Sequence, residues 1–357
     1  GVDYNLLDAV KKLAQEKSIS TAKFLKKVGF SELSESRGES AFVWQQGGLY
    51  MAAILECLGT KNLVADEMYK ITGKTYYDVI AQDTVATAIN DLTALGAKPL
   101  TLHAFWGLWN DDWLLDKKRT EDFVKGWERA CALAGVTWGG GETPSLTNVV
   151  AKGAVVLAAS AVGIIKPKSR LMRGNKIKVG DRIVFLKSTG LNANGISLAR
   201  AVAKKLPKGY ATKLPSGKMY GEAVLTKTNI YAKIIQELLD GDVDIHYISN
   251  ITGHGLRKIM RARQDYTYVV EKTFEPQEVF FFIQKHANLS DFEMYQTFNM
   301  GSDYALFLPA GHVKKAQEIV KKNGFKSLDA GYVRKGKRQV IIEPKNLTFK
   351  SKTLDLR

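Results

Sequence analysis

Cysteine is scarce in this chain: Cys57 and Cys131 are the only two among 357 residues. They are too few for a disulfide framework and have no zinc-ligand spacing, so a reducing cytoplasm is the expected setting. The opening G-V-D-Y-N-L-L-D carries neither a basic leader nor an apolar signal core, in keeping with that expectation. Long apolar runs are also missing. The longest, Ala154 to Ile165, contains Ser160 and Gly163 and is too short to span a bilayer, so it reads as a buried strand and no membrane partner is expected. Acidic side chains are outnumbered, 36 against 52 Lys and Arg, for a net charge of +16. Such charge draws nucleic acid, acidic membranes and phosphorylated small molecules alike. The basic residues are spread along the whole chain, however, with only short clusters such as Lys166-Lys168-Arg170-Arg173 and Arg334-Lys335-Lys337-Arg338. No nucleic-acid motif accompanies them, so steering of anionic substrates, or plain solubility, fits better. There is no G-x-x-x-x-G-K-[ST] sequence, no Ser-His-Asp or Cys-His arrangement, and no metal spacing among His103, His246, His286 and His312.

What is present is globular material, 45% hydrophobic and 25% charged, in a length that suggests two domains. An amphipathic helix is expected over residues 6 to 16 and a shorter one over 21 to 28, followed by a polar loop, S-E-S-R-G-E-S, that is a candidate lid or ligand contact. Residues 41 to 57 alternate around Gly47-Gly48 as a hairpin does. A helix from Asp83, a strand L-T-L-H-A-F-W, a helix from Thr120 to Ala134, a tight G-G-G-E-T-P turn and the strand ending at Ile165 complete an α/β half. The texture changes at Lys166-Pro167, which sets the expected division: residues 1–166, residues 167–345, and a polar tail over 346–357. The second half repeats the strand-and-helix pattern, with helices at Ile196 to Lys205, at about Asn229 to Leu239 and at His312 to Lys322.

The helix D-T-V-A-T-A-I-N-D-L-T-A-L-G-A-K-P, from Asp83 to Pro99, is the most informative segment. At about 100° per residue, Val85, Ala88, Ile89 and Leu92 fall on one stripe, while Asp83, Thr87 and Asn90 lie opposite with Asp91 at the edge. Long solvated side chains are absent from the polar stripe, and its short oxygens suit a metal or a metal-bound phosphate. A stripe packed against a neighbouring element, with Asp and Asn capping something there, is the other reading. Glu56 in E-C-L-G-T-K and Glu142 in G-G-G-E-T-P also stand beside glycine turns. Were these carboxylates to converge, two of them about 4 Å apart would repel by roughly 4 kcal/mol, which demands a cation. Oxygen-only ligands favour Mg²⁺ shared with phosphates. Without a P-loop, a nucleotide would be held by that ion, Lys61 and backbone amides of the glycine turns. His254, between glycines in T-G-H-G, is expected to be exposed and suited to proton transfer or phosphate binding.

The ordered set E-C-L-G-T-K, I-A-Q-D-x-V-A-T-x-I-N-D-L-x-x-L-G-A-K-P, G-G-G-E-T, S-T-G-L-N-A-N-G-x-S-L-A-R, I-T-G-H-G and M-Y-Q-T-F-N-M-G resembles the aminoimidazole ribonucleotide synthetase, or phosphoribosylformylglycinamidine cyclo-ligase, family. The likeness runs from the opening G-V-D to about Pro344. Its N-D-L-x-x-x-G-A-x-P element is shared with selenophosphate synthetase and thiamine-monophosphate kinase. The resemblance implies a two-domain α/β (α+β) ATP-binding fold, with an N-terminal mixed sheet that forms a homodimer and a C-terminal α/β substrate domain. It further implies ATP-dependent closure of the imidazole ring of 5-aminoimidazole ribonucleotide, with ATP and Mg²⁺ required. The metal set would be Glu56, Asp83, Asp91 and Glu142; the nucleotide set Gly59, Thr60, Lys61, Asp83, Asn90, Asp91, Gly140, Gly141, Glu142 and Thr143. Substrate would meet Asn192, Asn194, Ser197, Thr252, Gly253 and His254, with His254, Asn192 and Asp91 in the chemistry.

The chain departs from the family pattern at several points. It has Glu56-Cys57 for an aspartate and glycine, Asn192 for a histidine, His254 for a third glycine, and R-G-E-S at Arg37 to Ser40 for a glycine-rich loop. Asn192 cannot transfer a proton as histidine does, so His254 is the candidate to take over that role. The alternatives are a related kinase or synthetase acting on another small phosphorylated compound, and a catalytically silent nucleotide-binding partner.

Overall fold

The computed structural model describes residues 4–354, with side chains from residue 10 onward. It begins with the helices α1 (Tyr4–Ile19) and α2 (Lys23–Lys27). The side chains that open the expected amphipathic face, Leu6 and Leu7, lie outside the described residues; farther along α1, Val10 and Leu13 are exposed. Six strands come next: β1 (Ser31–Glu32), β2 (Phe42–Gln46), β3 (Leu49–Cys57), β4 (Lys98–Leu108), β5 (Thr137–Glu142) and β6 (Val155–Ile165). They form one sheet in the order β1-β2-β3-β6-β4-β5, mixed because β4 and β5 run parallel. The helices α3 (Asn62–Thr72), α4 (Tyr77–Ala94) and α5 (Lys117–Ala134) belong to the same half. Alternation along β6 buries Val155, Leu157, Ala159 and Ala161 on the face that α4 covers.

The G-G-G-E segment, expected as a turn, is strand. It lies so close to β4 that a Cβ on Gly141 would stand 2.0 Å from the Ala104 carbonyl oxygen. Glycine is therefore required by strand approach, and a strand with so little side chain carries no propensity signal to read.

The second sheet has seven strands: β7 (Arg182–Lys187), β8 (Tyr247–Asn250), β9 (Tyr266–Val270), β10 (Ser302–Leu308), β11 (Ser327–Lys335), β12 (Gln339–Ile342) and β13 (Leu347–Lys350), in the order β13-β12-β9-β11-β7-β10-β8. Its helices are α6 (Ile196–Lys205), α7 (Tyr220–Val224), α8 (Ala232–Asp240), α9 (Glu278–Ala287), α10 (Asp291–Thr297) and α11 (Val313–Lys322). Val184, Leu186, Leu306 and Leu308 pack with α8 and α11 on one face, while Ile183, Phe185, Ala305 and Phe307 join the larger core on the other. The stretch expected as a tail supplies β13, whose Phe349 is fully buried; only residues 355–357 of it lie outside the described set.

The polar stripe of α4 joins the two halves. Asp83 accepts the Thr228 N–H at 2.7 Å and is paired with Lys61, which also donates to the Thr226 carbonyl at 2.8 Å. Gln82 donates to the Thr228 carbonyl. Asn90 accepts from the Tyr231 N–H at 3.0 Å and donates to the Asn229 carbonyl at 2.8 Å. Tyr304 on β10 donates to the Asn90 carbonyl at 2.6 Å. Segment 226–231 of the second half is thus gripped by side chains of the first.

Candidate active site

Beside this joint the two halves leave a cleft with two adjoining chambers. The smaller, about 150 Å³, is walled by Thr87 and Asp91 of α4, Glu56 and Cys57 at the end of β3, Glu39 and Ser40 of the R-G-E-S loop, Ala193 and Asn194, and Thr252, Lys258 and Arg261. The larger, about 360 Å³, shares Glu39, Glu56, Asn194, Thr252, Lys258 and Arg261, and adds Lys11, Gly38, Gly253, His254, Arg263, Arg338 and Leu354. Charge is divided between them: Asp91 belongs to the small chamber alone, and Arg263 and Arg338 to the large one alone.

Local geometry explains how these side chains arrive. Glu56 and Ala159 are paired on the helix-covered face of the sheet, which turns Glu56 toward α4. Asn194 precedes Gly195, whose φ of +71° opens α6 and whose missing Cβ would stand 2.0 Å from the Phe298 ring. Asp91 accepts from the Asn250 side chain at 2.8 Å. Arg261 donates to the Gly38 carbonyl at 2.9 Å, and Tyr247 donates to Glu39 at 3.3 Å, so the R-G-E-S loop is a fixed wall of the cleft. The Arg257 guanidinium lies 3.4 Å from His254 Nδ1 and donates to the His254 carbonyl at 3.2 Å, which makes His254 a half-buried, held side chain instead of the exposed one expected.

Of the residues expected in the site, Glu56, Asp91, Asn194, Thr252, Gly253 and His254 come together. Lys61, Asp83 and Asn90 do not: fully or nearly fully buried, they are spent on segment 226–231, so the packed-stripe reading holds for that part of α4. Glu142 does not either. Glu56, Ala159, Ala104 and Gly141 form one row across four strands, so three strand spacings, about 14 Å, separate Glu56 from the G-G-G-E strand. Glu142, one residue on, turns to the opposite face. Among the described residues no three His, Cys, Asp or Glu side chains group as a metal site, which corrects the four-carboxylate set. Gly59, Thr60, Gly140, Gly141, Thr143 and Ser197 line neither chamber.

Asn192 lies behind the cleft. Held at a φ of +57°, it donates to Asp303 at 2.9 Å, and Tyr231 donates to the other Asp303 oxygen. Burial pushes the Asp303 carboxyl up to about 6, against the pull of those two donors. The folded state therefore binds this proton more tightly than the unfolded chain, so stability falls as pH rises from 3.8 to about 6 and stays lower above that. Asp303→Asn removes the slope: from about pH 4 to pH 7 the wild type should lose roughly 2 kcal/mol relative to the variant in denaturant titrations. A difference that does not vary with pH would contradict this.

Lys258, Arg261, Arg263 and Arg338 do not stand out as site residues in the sequence. A signal for two of them is nonetheless there: in R-K-I-M-R, Lys258 and Arg261 flank Ile259 and Met260, both fully buried in a 3-10 turn, which leaves the two basic side chains on a common side, toward the cleft.

Residues 38–165 match the model of the AIR synthase related protein N-terminal domain, and residues 178–343 that of its C-terminal domain. The phosphoribosylformylglycinamidine cyclo-ligase of Methanosarcina barkeri is 33% identical over 284 residues, covering 79% of this chain and 80% of that one. The chain belongs to the phosphoribosylformylglycinamidine cyclo-ligase family. The cyclo-ligase of Methanococcus maripaludis is 30% identical over 321 residues, covering 87% of each chain. Among solved structures, the fold of this cyclo-ligase family member is shared with the thiamine-monophosphate kinase of Stenotrophomonas maltophilia, at TM-score 0.58 and 15% identity over 85% of this chain and 88% of that one. It is also shared with hydrogenase maturation protein HypE in complex with ATP, at TM-score 0.57 and 18% identity over 84% and 82%. No helix among the described residues is long and apolar enough to cross a membrane.

Proposed function

We propose that this protein closes the imidazole ring of 5-aminoimidazole ribonucleotide from formylglycinamidine ribonucleotide at the expense of ATP, in purine biosynthesis and in the cytoplasm. The observation that carries the reading is the uneven charge of the cleft: Asp91 and Thr87 line the small chamber alone, Lys11, Arg263 and Arg338 the large one alone, and Glu39, Glu56, Lys258 and Arg261 are common to both, which suits two anionic substrates. In this reading the triphosphate lies toward Asp91, Glu56 and Thr87, and the substrate's phosphate toward Arg261 and Arg263. Two of the three carboxylates of the small chamber are enough for Mg²⁺, which is commonly held by one or two carboxylates and completed by phosphates and water. Asp91 and Glu56 would hold it, and when bound it would neutralise charge on the transferring phosphoryl group.

The formyl amide oxygen is a poor leaving group. It takes the γ-phosphoryl while ADP departs and the amide N–H is lost, leaving an iminophosphate. The amidine nitrogen then attacks the activated carbon and phosphate leaves. Such chemistry needs position and charge more than covalent help, which Asn194 and Thr252 supply by hydrogen bonding and Lys258 and Arg261 by charge. Arg257 can only donate, so His254 Nδ1 is the acceptor and Nε2 carries the ring proton, making His254 a hydrogen-bond donor to the departing phosphate. His254→Ala is then expected to lower kcat about 10²-fold with ATP affinity unchanged, whereas near-normal turnover would remove His254 from the chemistry.

A homodimer belongs to this proposal. The outer face of the first sheet carries exposed apolar side chains, Leu55 at 69% and Val156 at 41%, and Glu142 stands on that face. Those exposed apolar side chains support pairing of two such sheets. The function is tested by ADP release from MgATP: it should depend on formylglycinamidine ribonucleotide. Release triggered by a different phosphorylated compound would favour the related kinase or synthetase.

A further inference from the structure

The C-terminal family domain ends at Glu343, but the chain continues, and the residues beyond it return to the cleft. Strand β13 is locked by Phe349, fully buried and packed at a tilt against Phe292 with 4.7 Å between ring centres. Beyond it, the Ser351 N–H donates to the Arg338 carbonyl at 3.1 Å, the Leu354 N–H donates to the Ser351 carbonyl at 2.9 Å, and Arg257 Nη1 donates to the Thr353 carbonyl at 2.6 Å. These bonds bring Leu354 into the wall of the large chamber.

We infer that Ser351–Leu354 is a specificity element of this chain: it closes the phosphate end of the substrate pocket and strengthens binding of the ribonucleotide without contributing to binding of ATP. The inference rests on the reading of the large chamber as the substrate's. Leu354 shares that chamber with His254, Arg263 and Arg338 and is absent from the small one, where Asp91 lies. Its anchor is the same Arg257 that holds the His254 carbonyl and, at 3.0 Å, the Gln296 carbonyl at the end of α10. The segment, the T-G-H-G loop and α10 therefore share one guanidinium. An apolar wall at a cationic pocket excludes water, which strengthens the attraction between the remaining charges and a phosphate.

The experiment is a chain ended after Lys350, which keeps β13 and Phe349, compared with the 357-residue chain and with Leu354→Ala, which leaves every backbone contact in place. Calorimetry would measure the dissociation constants of formylglycinamidine ribonucleotide and, separately, of ATP. The truncated protein should bind the ribonucleotide about tenfold more weakly, Leu354→Ala a few-fold more weakly, and both should bind ATP as the full chain does. Unchanged ribonucleotide binding, or equal weakening of both ligands, overturns the inference. Ribonucleotide binding by the 357-residue chain without turnover would overturn the proposed reaction and leave this comparison standing; no binding at all would overturn both.

Discussion

Asp91→Asn should lower kcat/KM about 10³-fold while leaving the fold intact, the size of loss expected when one preorganised charge is removed from a phosphoryl-transfer site. The variant keeps the shape of the side chain and an oxygen able to accept from Asn250, which sits 2.8 Å from Asp91 Oδ1. What it removes is one negative charge facing the small chamber. Isothermal titration with MgATP should show weaker binding, while with ATP in the presence of EDTA the variant and the wild type should bind alike. The melting temperature should move by no more than a few degrees. Activity within tenfold of wild type would take Asp91 out of the proposed ligand set.

Lys61→Met should have the largest effect on stability. Lys61 and Asp83 are fully buried, and removing one partner of a buried pair leaves an uncompensated charge at a cost of about 3–5 kcal/mol. That is a large part of the roughly 5–15 kcal/mol that holds an ordinary domain together. An exposed pair such as Lys125–Glu121, by comparison, contributes about 1 kcal/mol or less. The double variant Lys61→Met/Asp83→Leu should recover part of the loss but not all, because the Thr228 N–H then loses its acceptor. Urea titrations of the three proteins check this. A single variant within 1 kcal/mol of wild type would mean that the joint between the halves is held elsewhere.

Asp83 and Asp91 sit on one helix and differ in role, a difference only partly legible in the sequence. Eighteen residues of α4 display the oxygen stripe. Within it, Asp83 and Asn90 point within about 20° of one another, while Thr87 and Asp91 lie roughly 40° and 80° round from Asp83. The first pair meets segment 226–231 and the second meets the cleft. Periodicity gives direction relative to the helix axis; it does not say what a segment some 140 residues away will place there. Glu142 is misread for a different reason. A run of glycines reads as a turn, and once it is a strand, alternation alone decides that Glu142 faces away from Glu56. The hairpin at 42–57, the helix Ile196–Lys205 and the motif order need no such long-range information, and all are legible. The short strands β8, β12 and β13 lack length enough for a period to register.

The proposed reaction is tested most directly by incubating the purified protein with formylglycinamidine ribonucleotide and MgATP, and measuring aminoimidazole product by its colour reaction alongside ADP. Product and ADP should appear in equal amounts, with neither formed when either substrate is withheld. ATP bound with no product formed would contradict the assignment.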